Sequence, residues 1–137
     1  MSDKVSVQEA LLYVMVTMSA ADSSMPDAEL GSIGDLVKTL PVFAGFDGNR
    51  VVTVAQACGE LLQRPDGLDH ILEIVADSLS PRLYDTAYAL AVEVAASDGT
   101  LPDEELRLLE ILRDRLNLDK LTVAAIERSA QARFRSA

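Results

Sequence analysis

The chain states one short phrase twice. Residues 20–30 read AADSSMPDAEL and residues 96–106 read ASDGTLPDEEL. The shift that carries Asp22 onto Asp98 also carries Ala20 onto Ala96, Pro26 onto Pro102, Asp27 onto Asp103, Glu29 onto Glu105 and Leu30 onto Leu106. Each copy follows an apolar helical stretch and opens another helix. The pattern predicts a duplicated helical hairpin, with repeat units over about 6–40 and 82–116, and two acidic loops able to pool their carboxylates.

The rest of the chain is helical in period. Ser6 and Glu9 form a capping-box pair that starts a first helix, which ends near Ala21. A second helix runs from about Pro26 to Leu40, with proline in its first turn where an N–H has no intrahelical partner. Residues 41–48 are irregular, and Phe43 and Phe46 are expected to pin them to the core. A third helix runs from about Asn49 to before Pro65. Asp66 is expected to cap a fourth, reaching about Leu79. Ser80-Pro81 is expected to open a fifth, through about Ala96. Pro102 opens a sixth, to about Leu116, and Asp119 caps a seventh towards Phe134. No segment alternates as a strand does. The expected fold is all-α, a single domain over residues 1–137 with about seven helices and one shared core.

Composition supports this and narrows the function. Aromatic residues make up 4% of the chain and Trp is absent, so the core is built from aliphatic side chains. A net charge of −10 repels phosphate backbones, which argues against general nucleic-acid binding. It favours cations or basic partner surfaces. No run approaches the ~18 apolar residues of a membrane span, and no signal-peptide pattern is seen. The single cysteine, Cys58, lies on an apolar helix face and is expected to be an inert core thiol. These features fit a cytoplasmic protein.

The second acidic segment reproduces the end of an EF-hand loop. Asp98 stands at loop position 5, Gly99 at 6, Thr100 at 7, Leu101 at 8 and Glu105 at 12. Positions 1 and 3 fall on Val94 and Ala96, which have no ligating side chain. In the first copy these positions are Met18 and Ala20, and Ser23 replaces the glycine. One half loop offers too few oxygens for calcium, which takes ~6–8. Two facing half loops would offer Asp22, Glu29, Asp98 and Glu105 plus two carbonyls, enough for a divalent cation with water. Calcium or magnesium suits all-oxygen ligands better than zinc. The other account is capping. Ser24 and Asp27, like Thr100 and Asp103, stand where an N-cap and its N3 partner would be, and acids are favoured in a first helical turn. That account covers Asp22, Asp98, Glu29 and Glu105 less well.

At these residues the chain resembles the tellurite-resistance TerB family, which carries an A-x-x-D-G-x-[LIV]-x-x-x-E type signature. Here the signature is Ala95-Ala96-Ser97-Asp98-Gly99-Thr100-Leu101-Pro102-Asp103-Glu104-Glu105, with a fainter copy from Ser19 to Glu29 that lacks the glycine. The resemblance implies a seven-helix domain tied to tellurite and other stress responses. It implies that Asp22, Glu29, Asp98 and Glu105 are the metal-binding acids. The expected function is a non-enzymatic stress-response module that binds a divalent cation. The alternative is a metal-free protein-interaction scaffold whose acids are helix caps. A hydrolase is disfavoured, since no orienting group accompanies the carboxylates. Among the other residues, Glu93 is a further ligand candidate in an apolar helix, and His70 is expected at a solvent edge. Tyr13, Tyr84 and Tyr88 are expected to hold their hydroxyls at the surface. Arg128, Arg133 and Arg135 are expected in a solvated tail.

Overall fold

In a computed structural model, residues 4–21, 27–97 and 103–137 are described, with backbone alone for 27–30. Among the described residues there are seven α-helices and no strand. They are α1 (Val7–Ser19), α2 (Asp27–Thr39), α3 (Arg50–Leu62), α4 (Gly67–Ser78), α5 (Tyr84–Ala96), α6 (Asp103–Arg115) and α7 (Lys120–Arg133). The all-α expectation holds, and each helix lies within a few residues of its predicted bounds.

Local chemistry explains most of the ends. At α1, the Glu9 N–H donates to Ser6 Oγ at 3.1 Å and the Ser6 N–H donates to Glu9 Oε1 at 3.3 Å, completing the capping box. At α7, Asp119 Oδ1 accepts from the Thr122 N–H at 2.7 Å. This hydrogen bond holds the Asp119 carboxyl below its ordinary pKa. In the turn that follows α6, Asn117 takes a positive φ of 53°, which lets the Leu118 N–H reach back to the Arg113 carbonyl at 3.1 Å. Asn tolerates this left-handed turn better than most residues.

Two predicted ends differ. Asp66 occupies the N-cap position of α4, but its side chain makes no capping bond. Its backbone, at φ −108° and ψ 24°, lies outside the extended region where a cap side chain can fold back. Ser80-Pro81 does not open α5 directly. The proline starts a single 3-10 turn, Pro81–Leu83, and α5 follows from Tyr84. The 41–48 segment likewise begins with a 3-10 turn, Pro41–Phe43. Phe43 is buried there and meets Phe46 edge-on at 6.2 Å between ring centres, as expected of the loop anchors. Gln8 Nε2 ties the same loop to α1 by donating to the Val42 and Ala44 carbonyls.

The core is organised around α1 and α5. Every residue of α1 from Ala10 to Ser19 is buried, so this helix is covered on all sides rather than on one stripe. It packs on α3, α4, α5 and α2. Helix α5 buries Ala87, Tyr88, Leu90, Ala91, Val92, Val94 and Ala95, and packs on α1, α7 and α6. The alanines keep the helices close, which fits a chain poor in aromatics. The outer helices bury single stripes, such as Leu108, Leu109 and Leu112 of α6. Cys58 is the expected core thiol. It is fully buried, with Thr17 Oγ1 at 3.5 Å and the Tyr13 carbonyl at 3.7 Å. Burial pushes its pKa up to about 11, only partly offset by Thr17, so the thiolate is suppressed.

Candidate functional site

The sixth helix carries the candidate ligand whose side chain is described. Asp103, Glu104 and Glu105 fill its first turn, and Arg113 and Arg115 its last. This order of charge complements the helix dipole and explains why so polar a segment is helical. Within the turn the acids differ. Asp103 and Glu104 are exposed, whereas Glu105 is 1% exposed. Glu105 occupies the first place on the stripe continued by Leu108, Leu109, Leu112 and Leu116, where an apolar residue would be ordinary. It is the only charged residue buried among those described. A buried carboxylate is costly unless opposite charge or hydrogen-bond donors surround it. The N-terminal end of α6 offsets part of that cost.

The other polar side chains in the core divide clearly. Thr17 is accounted for by Cys58. Ser19 is fully buried in the last turn of α1, and its Oγ makes no hydrogen bond among the described residues. Ser19 and Glu105 thus stand at the borders of the two repeated segments, one just before residues 20–30 and one within residues 96–106. The sequence marks Glu105 as a candidate ligand, and Ser19 only as the first residue of the fainter copy of the signature, with no role assigned to it.

Asp22 and Asp98 lie outside the described residues, as do Ser24 and Thr100, so the caps expected there are not described. Glu29 belongs to α2 by its backbone, and its side chain is outside the description. Among the described residues no three His, Cys, Asp or Glu side chains come together.

The helices that lead into the two segments share a direction. The Val5 N–H donates to Ser78 Oγ at 3.0 Å, joining the start of α1 to the end of α4. Ser6 and Val7 line one cleft with Leu83 and Thr86 at the start of α5. Helices α1 and α5 therefore begin at the same end of the molecule. Since they pack on each other, the chain leaves both at the opposite end. This is the parallel placement that a shared site requires.

The remaining candidates find partners. Glu93 accepts from Arg133 Nη2 at 2.6 Å and from Nη1 at 2.9 Å, in a two-pronged pair between α5 and α7. The hydrogen bonds raise the Arg133 pKa. Glu93 is thus committed to Arg133, and Arg133 is part of the packed structure rather than a loose tail residue. The tyrosines also differ from expectation. Tyr88 is wholly buried, and its hydroxyl donates to Glu127 Oε2 at 2.7 Å. The Tyr84 hydroxyl donates to the Ala76 carbonyl at 2.9 Å. A hydroxyl at the end of a large ring needs a partner when the ring is buried, and facing helices supply one. Burial first, and then Glu127, push the Tyr88 pKa strongly upward. Tyr88→Phe should lower unfolding free energy by about 1 kcal/mol in urea titration, because half-exposed Glu127 regains water. His70 is half-buried on α4.

No helix among the described residues is long and apolar enough to cross a membrane. Comparison of the chain with family models, with curated proteins and with solved structures found no match in any of the three.

Proposed function

We propose that the chain is a non-enzymatic, TerB-like stress-response module that binds a divalent cation, calcium or magnesium, through Asp22, Glu29, Asp98 and Glu105. The observation that carries this reading is the burial of Glu105 at the start of α6. A bound divalent cation offers a buried carboxylate opposite charge in place of the water it has lost. The common starting end of α1 and α5 supports the pooling of both acidic segments. Binding would fasten the two hairpins to each other in a cytoplasmic protein that responds to tellurite or related stress.

Thermal unfolding of chelator-stripped protein tests this. Saturating calcium or magnesium should raise stability by about 2.7 kcal/mol at a hundredfold excess over Kd. Glu105→Gln keeps the shape and removes the charge. It should abolish the cation-dependent rise in melting temperature. A Glu105→Gln variant that responds to cation as the parent does would sink the proposal.

The second reading is a metal-free scaffold for a protein partner. It is favoured by the exposure of Asp103 and Glu104 in the first turn of α6, where acids serve the helix dipole alone. It predicts the same melting temperature with chelator and with cation.

A further inference from the structure

Charge is unevenly distributed along this acidic chain. Seven of its 12 Lys and Arg residues follow residue 106, against four of its 22 acids. Helix α7 sharpens the contrast. Its acid Glu127 is turned inward, to Tyr88 and Arg113, and its capping Asp119 is held by the Thr122 N–H. Its outer face is left with Lys120, Ala124, Ala125, Arg128 and Ala132, all exposed, beside Leu121 at 81% exposure. Lys120 and Arg128 enter no ion pair among the described residues.

Helix α4 presents the opposite sign. Asp69, Glu73 and Asp77 recur every four positions on its exposed side, spanning about 12 Å at ~1.5 Å per residue. Arg115 pairs with Asp69, while Glu73 and Asp77 make no ion pair among the described residues. On α7, Lys120, Ala124 and Arg128 recur at the same step over the same ~12 Å. The small Ala124 between the two cations allows another helix to approach closely. Within one molecule these faces serve different neighbours: α4 packs on α1, α3 and α6, and α7 packs on α5.

We propose that the basic outer face of α7 docks on the acidic face of α4 of a second copy of this chain. The contact joins two different surfaces, so it is head-to-tail and each added copy offers a fresh face to the next. The occupant is a second copy because the surface that matches in sign is on the same chain. This inference does not rest on cation binding.

Sedimentation velocity of the full chain over a range of concentrations tests it. At about 0.1 M salt, where charges are screened beyond ~10 Å, the net repulsion of two acidic molecules is damped and contacting pairs still attract. The mean mass should then rise with concentration, and it should fall back to monomer at about 1 M salt, where the screening length is ~3 Å. The double variant Lys120→Glu/Arg128→Glu should stay monomeric, and so should Glu73→Lys/Asp77→Lys. All four positions are exposed, and circular dichroism should show both variants as helical as the parent. An equimolar mixture of the two variants should associate again, because the intact α7 face of one meets the intact α4 face of the other and the two reversed faces are also opposite in sign. A parent chain that is monomeric at every concentration overturns the proposal. Association that survives reversal of α4 overturns it too, as does an α7 face that binds anionic phospholipid vesicles without self-association.

Discussion

Leu12→Ala should lower unfolding free energy by about 2–5 kcal/mol, and Leu11→Ala by a similar amount. On most surface helices two adjacent positions behave differently, since they point about 100° apart and only one faces the core. Here both side chains are fully buried, because α1 is surrounded by α2, α3, α4 and α5. Each truncation removes apolar contacts and leaves a void that close-packed neighbours fill only in part. Equilibrium denaturation in urea measures the loss directly. If either variant lost less than about 1 kcal/mol, the all-round burial of α1 would be wrong.

The second large effect is at Gly67, the first residue of α4. Glycine-to-alanine changes at helical positions commonly stabilise by about 0.4–1 kcal/mol, through the unfolded chain. At Gly67 an added Cβ would come within 2.8 Å of the Leu62 carbonyl oxygen and closer still to that of Leu61. These are backbone atoms of the preceding helix and cannot rotate away. The tight turn between α3 and α4, closed by the Gly67 N–H on the Arg64 carbonyl at 2.9 Å, would have to open. Overpacking of this kind costs about 1–3 kcal/mol and outweighs the entropic gain. Gly67→Ala is therefore expected to lower the melting temperature by several degrees, and Gly59→Ala, with open space around its Cβ, to leave it unchanged or raised.

The helices were legible because their signals are local. Ser6 with Glu9, and Asp119 with Thr122, are settled within four residues of sequence, and the structure places both as read. What the sequence did not show depends on distant neighbours. Tyr88 finds Glu127, Tyr84 finds Ala76 and Arg133 finds Glu93 only once α4, α5 and α7 have packed. The special status of α1 was half visible. Its apolar face was plain, but the burial of Tyr13, Thr17 and Ser19 follows from four helices enclosing it. At the candidate site, the motif marked Glu105 and gave no hint that Glu104, one residue earlier, would face water. That difference arises from the 3.6-residue period, which puts Glu105 in line with Leu108, Leu109 and Leu112.

The central position of α1 also sets an order of events during synthesis. Its partners α3, α4 and α5 are complete only when Ala96 has been made. At ~5–20 residues per second, roughly 4–15 s pass between completion of α1 and arrival of the last of them. Throughout that interval the most apolar helix of the fold has no finished core to enter. The nascent chain must be sheltered or adopt a provisional collapse, and its aggregation risk is greatest before α5 emerges rather than after release.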